Sequence, residues 1–159
     1  MNNEDRKYIQ IAIEQARQSV LKGGFPAGAI IVKNGKIISK GISIGSKNHD
    51  PSGHAETAAI RAACKKLKTT ELKGAVIYGS LECCVMCFSV AYWSGISKIV
   101  FACKKTPKMI SKGYYEGPTN NQVLNKRNNR KIELIFAKEF ENESLDIVKQ
   151  WEALHEENA

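Results

Sequence analysis

Apolar residues between positions 4 and 22 recur at the period of a helix. Ile9, Ile13, Ala16 and Val20 fall on one face, and Gly23-Gly24 supplies a stop. The pattern then becomes that of a strand over "AGAIIV" (27–32) and again over "IISKGI" (37–42). Between them lies Asn34-Gly35, a strong hairpin signal because a tight primed turn needs positive φ at both central positions. A polar loop, "SIGSKNHDPSG", leads into the unbroken, alanine-rich "HAETAAIRAACKKL", which reads as a helix. After it come a buried strand (74–80), a helix over "CVMCFSVAYW" (84–93), a strand (98–102), a lysine-rich loop, a fifth strand (132–137) and a last helix over "ESLDIVKQWEAL". A hairpin followed by alternating helices and strands predicts a single domain over 1–159. Its architecture is a three-layer α/β/α sandwich around a mixed five-stranded sheet, with crossovers making the later strands parallel.

Composition changes little in that picture. The chain has 159 residues, enough for one core. It has no apolar run long enough to span a bilayer, so no membrane partner is expected. The charged start, "MNNEDRKYIQ", has no apolar signal core. The expectation is a cytoplasmic, reducing setting, where cysteines serve metals, catalysis or packing more often than disulfides. The net charge is +8. Lys104, Lys105, Lys108, Lys112, Lys126, Arg127, Arg130 and Lys131 stand against the single acid Glu116. Such a stretch is either a solvated face or a contact for nucleic acid.

The chemistry concentrates in "LECCVMC" (81–87), with three thiols in five positions. Cys84 and Cys87, at i and i+3 on a helix start, share one face, and free backbone N–H groups there favour thiolates. His54 opens the earlier helix; if both helices begin at the same sheet edge, it joins the two sulfurs as a third ligand. That set leaves one coordination position for water, whose pKa zinc lowers towards neutrality. Glu56, two residues on, is placed to take that water's proton and hand it to a leaving amine. Two other readings of the cysteines stay open. One is a redox pair. The other is a closed structural zinc site completed by Cys83 or Cys103, the basis of a non-catalytic interaction module. Cys64 and Cys103 read as core cysteines, His49 as a loop residue and His155 as solvated.

"HAE" followed by "CVMC" resembles the zinc-dependent cytidine deaminase superfamily. The likeness runs over about residues 7–103 and includes "PAGAIIVKNGKII", "DPSGHAETAAIRAACKKL" and "IYGSLECCVMC" in order. The middle looks most like guanine and guanosine deaminases. The tRNA adenosine deaminases, which share "HDP" and "CVMC", are the near competitor. The resemblance implies one Zn2+ per chain on His54, Cys84 and Cys87, with Glu56 as proton shuttle. It also implies a hydrolytic release of ammonia from a purine or pyrimidine base or nucleoside by way of a zinc-bound hydroxide, and a homodimer. The rival is adenosine-to-inosine deamination on tRNA. Substrate-binding candidates are Phe25, the Ala29 backbone N–H, Ser43, Trp93 as an aromatic at the pocket wall, and Tyr114. There are three departures from the family pattern. Cys83 stands where a proline is usual. Ser43 stands where an asparagine amide often binds substrate. Residues 104–159 do not resemble the tail that closes the guanine deaminase pocket, and "KGYYEGPTNN" is the expected local substitute.

Overall fold

The computed structural model describes residues 1–157; 158 and 159 lie outside the described residues. Helix α1 (Asn3–Leu21) is followed by the hairpin of β1 (Phe25–Lys33) and β2 (Lys36–Ser43), then α2 (Ala55–Leu67), β3 (Val76–Gly79), α3 (Val85–Trp93) and β4 (Lys98–Phe101). Two short helices, α4 (Pro107–Ser111) and α5 (Asn121–Arg127), precede β5 (Glu133–Phe136), a 3-10 turn and the last helix α6 (Glu141–Glu157). Among the described residues no helix is long and apolar enough to cross a membrane.

The five strands form one sheet in the order β2-β1-β3-β4-β5. β1 runs antiparallel to both β2 and β3, and β3, β4 and β5 run parallel. The hairpin turns at Asn34 (φ 52°) and Gly35 (φ 72°), both left-handed, as a two-residue primed turn requires. Strand periodicity sorts the core into two layers. Ile30, Val32, Tyr78 and Val100 pack with Ile9, Ile13 and Ala16 of α1. Ile31, Ile77 and Ile99 pack with Ala59 and Ile60 of α2 and Phe88 of α3.

Helix α1 is anchored twice by one residue. Asn2 caps it and Asp5 completes a capping box. The buried Asp5 carboxylate also accepts from the Tyr78 hydroxyl (2.7 Å) and pairs with Lys98 Nζ (3.0 Å). On the opposite face α2 crosses β2 very closely. A Cβ on Gly41 would lie 2.1 Å from the Ala55 carbonyl oxygen, so only glycine lets the first turn of α2 sit against the sheet there.

The predicted elements are present with ends shifted by a few residues. The lysine-rich stretch is the exception, because it is not simply a loop. Thr106 and Asn120 cap α4 and α5 through their side chains. Helices this short carry too few turns to display a helical period in sequence.

Candidate active site

Two helix starts meet at one edge of the sheet. His54 is the N-cap of α2 and Cys84 the N-cap of α3, both with extended backbone. The donor atoms of His54, Cys84 and Cys87 lie within 4.8 Å of one another. His54 Nδ1 is 3.4 Å from Cys84 Sγ, and that sulfur also accepts from the Cys87 backbone N–H (3.4 Å). One nitrogen and two sulfurs at this spacing, on two helix N-termini, are a donor set that suits zinc. Thr57 supports the cluster from α2, its hydroxyl 3.2 Å from Cys87 Sγ. A group that orients a metal's sulfur in this way is invisible to spacing arguments, and the sequence reading missed it.

The electrostatics point the same way. Cys84 falls to about 5, chiefly because the Cys87 thiol hydrogen-bonds to it, with His54 and the backbone N–H of Cys87 assisting. His54 rises, first because of its bond to Cys84. Cys87 rises because it supplies the proton in the shared bond and is buried. The site thus favours thiolate character at Cys84, as a cation ligand needs. Glu56, in the first turn of α2, is buried, and burial followed by the charge of Cys84 pushes its carboxyl up to about 7. That places the group near neutral pH, where it can both take and return a proton.

The cluster opens into a pocket of roughly 760 Å³. Ala27, Ser43 and Leu81 line its inner part, and His49 and Asp50 one side of its mouth. Asp50 braces that side by accepting from both the backbone N–H (2.9 Å) and the hydroxyl (2.6 Å) of Ser52. Another part of the wall joins Phe25 of β1 to the C-terminal third. Phe25, Tyr114 and Trp151 pack edge to face, with centroids 5.1, 5.1 and 5.8 Å apart. The Tyr114 hydroxyl donates to Glu152 (2.7 Å), which Lys112 also engages. Glu116 sits at the mouth, and its carboxylate accepts from the backbone N–H groups of Val85 (3.2 Å) and Met86 (3.1 Å) at the start of α3.

The segment that carries the cysteines is itself gripped from beyond residue 110. The Tyr115 hydroxyl donates to the Glu82 carbonyl and Asn121 Nδ2 to the Cys83 carbonyl, each at 2.7 Å. Ser144 donates to the Ser80 carbonyl (2.5 Å).

Of the substrate-binding candidates, Phe25, Ser43 and Tyr114 line the pocket and two do not. Trp93 is 77% exposed. It ends α3, whereas the pocket lies at that helix's start. Arg130 holds the neighbouring Tyr92 inward by stacking on its ring (5.0 Å) and donating to its carbonyl (2.5 Å), which leaves Trp93 facing out. Ala29 is fully buried between Gly41 and Gly79 in the sheet interior; Ala27, two residues nearer the strand start, reaches the wall instead. Among the described residues neither Cys83 nor Cys103 joins the metal cluster. Both are buried free thiols, while Cys64 is only partly buried. Trp151 was missed as a site residue because nothing local marks it as near a metal so distant along the chain, and His49, read as a loop residue, also lines the pocket.

Fold and site together define a class: α/β domains that hold a zinc ion between two helix starts beside a buried carboxylate. Within that class, residues 2–103 match the cytidine and deoxycytidylate deaminase zinc-binding region, and the chain belongs to this family. It is 41% identical over 95 residues to a tRNA-specific adenosine deaminase of Aquifex aeolicus (strain VF5), covering 60% of this chain and 63% of that one. It is 38% identical over 107 residues to a guanine deaminase of Bacillus subtilis (strain 168), covering 67% of each. The chain thus spans a little under two thirds of the first of these relatives. The guanine deaminase structure from Nitrosomonas europaea superposes with a TM-score of 0.82 at 23% identity, over 96% of this chain and 85% of that one, a likeness of fold.

Proposed function

We propose that the protein is a hydrolytic deaminase of a free nucleobase or nucleoside, of the guanine deaminase type. Zinc on His54, Cys84 and Cys87 would supply a water of lowered pKa at neutral pH. The Glu56 carboxylate lies beside that position, takes a proton there and returns it to the departing amine. The buried first turn of α2 keeps Glu56 away from bulk water, and the rings of Phe25, Tyr114 and Trp151 offer an aromatic wall against which a heterocycle can pack.

The observation that carries this reading is the charge of the pocket lining. It includes Glu56, Glu82, Glu116 and Asp50, and among the described residues no lysine or arginine. A site for a phosphorylated nucleotide needs a cation or an array of free N–H donors. The N–H groups of Val85 and Met86 at the start of α3 are already taken by Glu116. The second reading, adenosine deamination on tRNA, is favoured by the 41% identity to an enzyme of that name and by the basic stretch 104–131.

The deciding experiment measures ammonia release by the zinc-loaded protein from guanine, guanosine, cytosine, cytidine, adenine, adenosine and a tRNA anticodon stem-loop. Guanine or guanosine turnover, cut sharply in Glu56→Gln, is the expected result. Turnover of the stem-loop alone, with steep salt dependence, would move the protein to the second reading.

A further inference from the structure

The three zinc donors are not equally well supported by their own elements. Cys87 lies inside α3, and His54 opens the 13-residue α2. Cys84 precedes α3, at the end of a stretch (80–84) that carries no regular structure after β3 ends at Gly79. Its placement depends on what holds that stretch. The Glu82 N–H donates to the Cys103 carbonyl (2.7 Å). The Glu82 and Cys83 carbonyls accept from Tyr115 Oη and Asn121 Nδ2, each at 2.7 Å. Two successive peptide groups directly before Cys84 are thus held by side chains from residues 115–121. Among the described residues, that stretch gives no donor to the metal cluster.

Asn121 occupies its place at an energetic disadvantage. It is 4% exposed, and its Oδ1 has no hydrogen-bond partner. A buried acceptor without a partner is costly, and such a group in a native fold calls for a reason. The reason lies at its other end. The Cys83 carbonyl and the Cys84 nitrogen share one rigid peptide plane. The Asn121 bond fixes that plane, and with it the base from which the Cys84 side chain projects. Tyr115, also buried, fixes the plane before it in the same way.

We propose that Tyr115 and Asn121 are positioning residues of the zinc centre, setting Cys84 Sγ against His54 and Cys87 without touching the ion. Groups that orient a metal ligand from behind hold affinity as well as geometry. The coupling is reciprocal, so zinc in turn tightens residues 115–121.

Tyr115→Phe and Asn121→Ala each delete one of these bonds, with Asn121→Ser used if the alanine variant does not fold. Tyr8→Phe is the control, since it removes a hydroxyl-to-carbonyl bond of the same kind at the β1–β2 turn, to Gly35 (2.9 Å). The readouts are the rate of zinc transfer to excess chromogenic chelator and the absorption bands of the cobalt-substituted protein, which report donor geometry. Each test variant should release zinc about tenfold faster or more and shift the cobalt bands. Tyr8→Phe should leave both unchanged, whatever it does to the melting temperature. Wild-type release and bands in a folded test variant would reduce that residue to packing and overturn its role. Equal acceleration in Tyr8→Phe would show general loosening and overturn the proposal. Hydrogen exchange over residues 115–121 should slow when zinc is added to the wild type; exchange indifferent to zinc would overturn the reciprocal link. None of these readouts depends on deaminase turnover.

Discussion

The Tyr114 hydroxyl donates to the Glu152 carboxylate across 2.7 Å, joining the loop after α4 to the last helix at the pocket wall. Glu152 and Trp151 are neighbours in sequence, so this bond fixes the segment that presents the Trp151 ring to Phe25 and Tyr114. Removing the ring should affect substrate holding more than chemistry. Trp151→Ala is expected to raise KM about tenfold while kcat falls less, from loss of a stacking surface. Steady-state kinetics with the turned-over base, alongside a thermal melt, checks this. An equal fall in kcat and kcat/KM would place Trp151 in the chemistry instead.

Glu56→Gln keeps the shape of the side chain and removes its proton-transfer capacity. The variant should fold, retain zinc and lose turnover by about 10² to 10⁴, the range of general acid–base contributions. Metal analysis and ammonia release on the same sample test both halves. Near-normal turnover would remove Glu56 from the mechanism.

The Thr57 hydroxyl at Cys87 Sγ predicts a graded effect on metal affinity. Cys84→Ser should purify with zinc well below one per chain, because it loses a ligand. Thr57→Val should keep its zinc but release it to a competing chelator at about 10- to 100-fold lower concentration, as other groups supporting a metal ligand do. Chelator titration with a chromogenic indicator reads this directly. Wild-type affinity in Thr57→Val would reduce the contact to packing.

Asp5 gives the acid limb of stability. Burial alone would raise its carboxyl, but hydrogen bonds from Tyr78, the backbone at Asn2 and Lys98, together with the Lys98 charge, hold it below its usual value. The folded state therefore binds fewer protons than the unfolded state near and below pH 4. The Asp5 contribution is present above that range and is lost as pH falls through the lowered pKa. Asp5→Asn should cost about 1–3 kcal/mol at pH 7, since it strands the mostly buried Lys98, and should flatten the loss of stability towards acid. Denaturant unfolding at pH 7 and at pH 3–5 compares the two proteins. Parallel curves would show that the network does not titrate.

The metal half of the site was legible in sequence because each group sits at a helix start. His54 and Glu56 are two residues apart and Cys84 and Cys87 three, so local geometry sets each pair, and the shared sheet edge of the two helix starts brings the pairs together. The sequence of elements along the chain and the hairpin were legible for similarly local reasons, above all Asn34-Gly35. The substrate wall was not. Trp151 looks like any aromatic of an amphipathic helix until the tertiary fold brings α6 beside β1. Trp93 misled because a motif offset does not show that the pocket lies at the start of α3, a full helix length from its last residue. Arg130, far along the chain, holds the adjacent Tyr92 inward instead.

That division along the chain has a bearing on how the protein could acquire new substrates. The groups that hold the ion and move the proton lie between residues 54 and 87, folded onto the sheet with almost no spare volume around Gly41. Much of the opposing wall is borrowed from a separate stretch, residues 113–152, that contributes no donor atom to the metal cluster. Ring exchanges at Tyr114 and Trp151 can therefore reshape the cavity, whereas changes at Tyr115, Glu116, Asn121 or Ser144 would also disturb the segment that carries Cys84 and Cys87. Selectivity and chemistry are free to change at different rates within one small domain.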